Sequence, residues 1–194
     1  MGCNLANGIL DKHLKEEGRY PENVAMFWMC NDLMWSDGEG LGQLLALLGV
    51  RPVWRGGVVD GHEVIPLKEL GRPRIDVTVR VSGLLRDSFP EAVRFLDNAV
   101  QAVATLDEDD EGNSVRKHCR ERLKQWQQPE EDQSAWRKAT LRVFSSRPGV
   151  YQGGVDLAVH ASAWRTEADL ADVFYAGTAM PMATAFGERR RFPH

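Results

Sequence analysis

Val24 to Cys30 is an unbroken apolar run, and a polar, glycine-bearing stretch from Asn31 to Gly40 follows it. Leu41, Leu44, Leu45 and Leu48 then recur at helical spacing, so this part of the chain predicts strand, loop and helix. Gly49 is placed to close that helix in the left-handed conformation that a residue without a Cβ adopts freely. Arg51 to Trp54 reads as a short second strand entering a Gly56-Gly57 turn. Val58-Val59 and Val64-Ile65 are spaced to pair as a small hairpin around Asp60-Gly61. Further on, Ile75, Val77, Val79 and Val81 alternate with Asp76, Thr78 and Arg80, a period of two that turns one apolar face toward a core.

After a loop at Ser82 to Asp87, Ser88 and Glu91 have the spacing of a capping box. Phe89, Ala92, Val93, Leu96, Ala99, Val100, Val103 and Ala104 then form the helical stripe with the clearest period in the chain. Asp107 to Glu111 is expected to be a solvated acidic turn, and Val115, Cys119, Leu123 and Trp126 a further amphipathic helix. Leu141, Val143 and Phe144 suggest a third strand, Arg147 to Gly154 a glycine-rich loop, and Thr166 with Asp169 the cap of a helix reaching Phe174. Ala176 to His194 carries no pattern that defines an element. The polar stretch at 127–134 divides the chain into an α/β part, 1–126, and a strand-loop-helix part, 135–194, of the same or an adjoining domain. The fold class expected is α/β: a three-layer open sheet of mainly parallel strands with flanking helices, plus a smaller α/β or helical C-terminal portion.

Composition narrows the function. Net charge is -4 and the basic residues are scattered, so the electrostatic footprint of a nucleic-acid binder is missing. Cys3, Cys30 and Cys119 are too few and too far apart for a disulfide framework, which fits a reducing compartment. No apolar run approaches the roughly 20 residues of a membrane span, and the first residues lack the apolar core of a signal peptide. A cytoplasmic location is expected.

In an open α/β sheet, ligands bind outside the carboxyl ends of the parallel strands, so the three loops that follow strands are the candidate site. The first carries Asn31, Asp32, Asp37 and Glu39, the second Ser82, Arg86 and Asp87, and the third Arg147 and Tyr151. Together they would border one cleft rich in carboxylate and guanidinium groups. Each group also has a plainer reading. Asp37 and Glu39 favour the positive end of the following helix by about 0.3 to 1 kcal/mol without any ligand. Arg86 and Asp87 make a structural pair, and Arg147-Pro148-Gly149 makes a turn. His118 and Cys119 are adjacent on a helix and point in different directions, so they read as a surface histidine and a core thiol, not as a metal pair. No metal ligand set emerges.

These loops and their flanks resemble the large-subunit family of tetrapyrrole metal chelatases, which includes CobN and the magnesium chelatase H subunit. The matching motifs run in order through Arg19-Tyr20-Pro21-Glu22, Asp37-Gly38-Glu39, Gly49-Val50-Arg51-Pro52-Val53-Trp54 and Glu69-Leu70-Gly71-Arg72-Pro73-Arg74-Ile75-Asp76. They continue through Ser82-Gly83 with Arg86-Asp87, Val115-Arg116-Lys117-His118, Arg147-Pro148-Gly149 with Tyr151, and Trp164 with Asp169-Leu170. The chain departs from the family pattern at Met29, Cys30 and Ser145, and at the closing motif near Tyr175. The resemblance implies a C-terminal fragment of such a subunit, closest to the cobalt branch at Arg51-Pro52-Val53-Trp54 and Asp76-Val77-Thr78-Val79-Arg80.

It further implies ATP-dependent insertion of a divalent metal into a cyclic tetrapyrrole: cobalt(II) into hydrogenobyrinic acid a,c-diamide, or alternatively magnesium into protoporphyrin. Asp37, Glu39 and Asp87 would be the catalytic carboxylates. Asn31, Asp32, Ser82, Arg86, Arg116, Arg147 and Tyr151 would bind the macrocycle. The chain has 18 Arg against 6 Lys, and Arg is the residue that grips a carboxylate with a two-pronged fork. No Gly-Lys dipeptide occurs, so the phosphate-cradling loop of an ATPase is absent from this sequence. ATP use is therefore assigned to an AAA-type motor partner, which would act with the remainder of the large subunit. A tetrapyrrole-binding or motor-docking module without catalysis, and a degenerate remnant with neither property, are the other function classes.

Overall fold

The computed structural model describes residues 2–182. Helix α1 (Gly2–Glu17) leads to strand β1 (Asn23–Trp28), helices α2 (Asn31–Trp35) and α3 (Glu39–Leu48), and strands β2 (Val50–Arg55) and β3 (Val58–Val64). Helix α4 (Leu67–Leu70) precedes strand β4 (Asp76–Val81), after which come α5 (Gly83–Ser88), α6 (Pro90–Ala104), α7 (Ser114–Trp126) and α8 (Gln133–Ala139). Strand β5 (Val143–Ser145), a 3-10 turn at Gln152–Gly154, α9 (Val155–His160), α10 (Glu167–Thr178) and β6 (Met180–Pro181) follow.

The larger sheet has the order β1-β4-β5-β6. Its first three strands are parallel and β6 is antiparallel, so the fold is the mainly parallel α/β sheet with flanking helices that the patterning implied. Val77, Val79 and Val81 stand opposite Val24, Met26 and Trp28, and the valines are fully buried in a cluster shared with Leu44, Leu48, Leu96 and Val100. Asp76, Thr78 and Arg80 face the other way, where His118 of α7 and Phe174 of α10 meet them. The apolar run of β1 is not buried on both faces. β1 is an edge strand, and Ala25 and Phe27 stay exposed.

Several local expectations change. β3 is one continuous strand that pairs with β2 across Gly56-Gly57, so the hairpin turns there and not at Asp60-Gly61. Both glycines have positive φ, +59 and +82, which a tight turn requires and side chains resist. Ser82 to Asp87 is not a loop: Ser82 caps α5 by accepting from the Leu85 amide at 3.2 Å. Ser88 therefore ends α5, and α6 starts at Pro90, with Phe89 as the junction between the two helices. Proline fixes its own φ for a helix start and disfavours the helical region for the residue before it, which separates the two helices. Asn31 to Trp35 is likewise a short helix.

Trp126 lies 45% exposed and outside the buried stripe of Val115, Cys119 and Leu123. The capping box of Thr166 and Asp169 is present as expected, and its helix runs past Phe174 to Thr178. Residues on both sides of 127–134 join the same buried cluster, among them Leu123, Ala135, Ala139 and Val143. From the stretch Ala176 to His194, residues 183–194 lie outside the described part.

The Glu69 to Asp76 motif holds the end of α3. Arg72 donates to the carbonyls of Ala46 at 2.5 Å and Leu47 at 3.2 Å. Arg74 donates to those of Leu48 at 3.3 Å and Gly49 at 3.0 Å, so two arginines satisfy carbonyls that a helix end leaves without partners. The rest of the Arg74 fork grips Glu108 at 2.8 and 2.9 Å, which takes that acid out of the solvated turn expected of it.

Gly49 has φ +74, and a Cβ there would meet Arg74 Nη1 at 2.5 Å and Leu70 Cδ2 at 2.6 Å. Gly49→Ala is expected to destabilise the fold by about 2 to 4 kcal/mol, the sum of left-handed strain and a displaced, hydrogen-bonded Arg74. Denaturant unfolding measures it; a loss under about 1 kcal/mol would show that the α3 exit tolerates a side chain.

Candidate functional site

Because β1, β4 and β5 are parallel, Trp28, Val81 and Ser145 end on one edge. The Ser82 amide donates to the Trp28 carbonyl at 3.1 Å, and the Ser145 hydroxyl to the Val81 carbonyl at 3.1 Å. All three candidate segments leave from this edge, as topology required.

The second and third segments are joined by Arg86. Its Nη1 donates to the carbonyls of Ser146 at 2.6 Å and Arg147 at 2.8 Å. Its Nε and Nη2 fork the Asp87 carboxylate at 2.6 and 2.7 Å. The Tyr151 hydroxyl donates to the same carboxylate at 2.8 Å. Gly83 makes room for this arrangement, since a Cβ there would lie 2.8 Å from the Tyr151 ring. Arg86 is 3% exposed and its donors are spent on protein acceptors. It holds the Arg147 loop from beneath, with its side chain turned to the protein's own acceptors.

Ser82 is likewise occupied as the α5 cap. The hydrogen bonds from Arg86, with a smaller contribution from Tyr151, hold the Asp87 carboxyl below the usual carboxylate range. The same contact with Asp87 raises the Tyr151 phenol. Asp87 is thus an ionised, partly exposed acceptor. Tyr151 and Arg147 are exposed beside it.

The first segment is organised by Asp32. Its carboxylate accepts from Trp28 Nε1 at 2.8 Å, the Gly40 amide at 2.7 Å and the Leu41 amide at 3.1 Å. It therefore ties the end of β1 to the start of α3. Asn31 is exposed and accepts from the Cys30 thiol at 3.7 Å. Asp37, at φ +50, and Glu39 line a cavity of about 1390 Å³ between α3, the β2–β3 hairpin and α6. Trp54, His62 and Phe95 form its aromatic part, and Asp60 and Glu91 add further carboxylates. This cavity touches neither Arg86 nor Tyr151. The single cleft expected from the shared edge is instead two neighbouring features, because α2 and α3 turn Asp37 and Glu39 away toward the hairpin.

Arg116 is not part of either. It sits at the start of α7, donating to Leu106 O at 2.6 Å and pairing with Asp107 at 2.8 Å. The Ser114 amide there bonds the carbonyl of Arg74, ahead of β4, so Arg116 belongs to the amino edge of the sheet. Six residues of strand, about 20 Å, separate it from Ser82.

At that amino edge lies a buried network that sequence reasoning missed. Asp76 and Arg142 are both fully buried and paired at 2.7 Å. The second Asp76 oxygen meets His118 Nδ1 at 2.7 Å, and Glu22 contacts His118 at 3.4 Å and Lys117 at 2.8 Å. Hydrogen bonding to Asp76 raises the His118 pKa against the opposing effect of burial. Cys119 points elsewhere, donating to Ala139 O at 3.3 Å, and burial pushes its thiol up. The signal in the sequence was Asp76 itself, an acid at the head of a valine strand, since a fully buried carboxylate demands a partner. Among the described residues, no three His, Cys, Asp or Glu side chains converge as a group that could hold a metal ion. None of the described helices is long and apolar enough to cross a membrane.

Comparison with known proteins gives this geometry its context. Residues 1–191 match the family model described as CobN/Magnesium Chelatase. This chain belongs to the CobN/magnesium chelatase family. An uncharacterized protein of Methanocaldococcus jannaschii is 53% identical over 174 residues, 90% of this chain and 14% of that one. The aerobic cobaltochelatase subunit CobN of Pseudomonas aeruginosa is 42% identical over 177 residues, again 90% of this chain and 14% of that subunit. The chloroplastic magnesium-chelatase subunit ChlH of Oryza sativa subsp. indica is 44% identical over 172 residues, 86% of this chain and 12% of that protein. The catalytic subunit of cobaltochelatase from Mycobacterium tuberculosis superposes with a TM-score of 0.80 at 41% identity, covering 91% of this chain and 15% of that one. As a CobN/magnesium chelatase domain, the chain spans about one seventh of the length of these relatives.

Proposed function

We propose that this domain forms part of the macrocycle-handling surface of an ATP-dependent chelatase that inserts cobalt(II) into a corrin-precursor tetrapyrrole, hydrogenobyrinic acid a,c-diamide, in the cytoplasm. The likeness to a cobaltochelatase catalytic subunit across 91% of the chain is the observation that carries this reading. A second reading, magnesium and protoporphyrin, is favoured by the 44% identity to a ChlH subunit.

In either case, insertion requires that pyrrole protons leave and that the metal pass from weak ligands to ring nitrogens. Asp87, held ionised by Arg86, and the cavity carboxylates Asp37 and Glu39 are the groups proposed to accept protons or steer the cation. Tyr151 and Arg147, exposed beside Asp87, are proposed to meet the macrocycle and its carboxylates. ATP hydrolysis is proposed to come from a separate AAA-type motor acting on the complete large subunit.

The isolated chain is therefore expected neither to hydrolyse ATP nor to insert cobalt at an appreciable rate. Joined to the rest of its subunit and the motor, it is expected to support cobalt insertion. ATPase activity in the pure chain, abolished by a point substitution within it, would overturn the division of labour. An assembly that metallates protoporphyrin with magnesium but leaves the corrin precursor untouched would establish the second reading.

A further inference from the structure

Most guanidinium groups in this domain end on carboxylates or carbonyls. Arg80 does not. It projects from β4 on the face opposite Val79 and Val81, with its guanidinium carbon 3.9 Å from the centroid of the Phe174 ring and 4.8 Å from that of Phe27. Both distances lie within the roughly 6 Å over which a ring face attracts a cation. Its Nε is buried without an acceptor, and among the described residues Arg80 makes no hydrogen bond or ion pair.

Two phenyl rings therefore lie within reach of the cation, and its N–H donors are unused among the described residues. Burial also disfavours the charge and lowers the Arg80 pKa. A half-buried cation with unused donors is costly to keep unless an anion completes it.

Its position ties this cation to the candidate site. Arg80 lies two residues before Ser82, at the carboxyl end of β4. Phe174 backs onto the third segment, since a Cβ on Gly153 would come within 3.4 Å of the Phe174 backbone. Phe27 is 49% exposed and adds an apolar wall beside the guanidinium.

We propose that Arg80, held against the rings of Phe27 and Phe174, is the seat for a carboxylate carried on a planar aromatic ligand. The two rings restrain the guanidinium, so the carboxylate meets a two-pronged donor already in place while the ligand's flat body lies along the exposed Phe27. Identifying that ligand as a tetrapyrrole with carboxylate side arms rests on the function proposed above.

Two titrations of the full chain separate the seat from that function. In the first, benzene-1,3,5-tricarboxylate is added while the Arg80 Nε–H resonance, assigned by its loss in Arg80→Lys, is followed by NMR. A saturable shift of that resonance is expected. In the second, deuteroporphyrin and its dimethyl ester are compared by tryptophan quenching. The free acid is expected to bind roughly tenfold more tightly than the ester, and Arg80→Gln to bring that ratio near one while leaving ester affinity unchanged. Arg80→Lys keeps the charge over the rings and controls for folding; it is expected to retain only part of the preference.

An Arg80 signal that never moves, or an acid-over-ester preference that survives Arg80→Gln, overturns the seat. A shift with the tricarboxylate but no binding of either porphyrin leaves the seat standing and removes the tetrapyrrole reading.

Discussion

Asp76→Ala is expected to lower the folding stability of this domain by about 3 to 5 kcal/mol, because it strands the fully buried Arg142 without its counter-charge. Arg142 keeps bonds to the Ala139 and Leu141 carbonyls, but neutral acceptors do not offset a buried positive charge. Removing both charges together, as in Asp76→Ala with Arg142→Met, is expected to recover most of the loss, since no buried ion then remains. Urea unfolding of the two variants tests this directly; a single-variant loss under about 1 kcal/mol would show that the pair is dispensable.

The pH dependence has a definite sign. Burial opposes the Asp76 charge, yet hydrogen bonds from His118 and Arg142 outweigh it and hold the carboxyl below its ordinary range. That contribution is present above the ordinary Asp value, about 4, and is lost as pH falls through the lowered one. His118 is shifted the other way, so its contribution is complete below about 6.5 and is lost as pH rises through its raised value. Stability should peak in weak acid. His118→Gln should flatten the alkaline decline and also shrink the acid decline, because His118 is foremost among the groups that hold Asp76 ionised; Arg142 at Asp76, and Lys117 at Glu22, keep part of it.

What could be read from the sequence follows from which forces are local. The alternation of β4 and the stripe of α6 were legible because burial of one face imposes its period on consecutive residues, and the Thr166–Asp169 box because both partners lie within one turn. Helices α2 and α5 span 5 and 6 residues, too short to show a period, and read as loops. The Arg142–Asp76 pair spans 66 positions and Arg74–Glu108 spans 34. Nothing in the neighbourhood of Glu108 distinguishes it from the solvated acids around it. The motifs behind the family resemblance have a physical explanation of the same kind. Arg72 and Arg74 cap α3, Asp76 and His118 form the buried network, and Glu22 joins it. In this chain, several of the residues that carry the resemblance thus belong to the fold's own ionic scaffold. Arg116 was drawn into the site only by its place in one of those motifs.

Arg86→Lys in the complete assembly is expected to cost on the order of tenfold to a hundredfold in metal insertion, although charge is preserved. One ammonium cannot span the Asp87 carboxylate and the carbonyls of Ser146 and Arg147, which the guanidinium contacts at 2.6 to 2.8 Å. Carbonyls left without donors cost about 1 to 3 kcal/mol each, and the loop relaxes to find water. Arg147 and Tyr151 would then move relative to Asp87, and displacements near 1 Å are enough for losses of this size. Because Arg86 acts through its neighbours, the decisive readout is the pH profile. Asp87 is held below the usual carboxylate range first by Arg86 and to a lesser degree by Tyr151, so an activity that needs ionised Asp87 fails as pH drops through that lowered value. Arg86→Lys should move this acid limb to higher pH, and Tyr151→Phe should move it less. A slower enzyme with an unmoved limb would mean that Asp87 is not the titrating group. An unchanged rate and an unchanged limb would assign the Arg86–Asp87–Tyr151 cluster to folding alone.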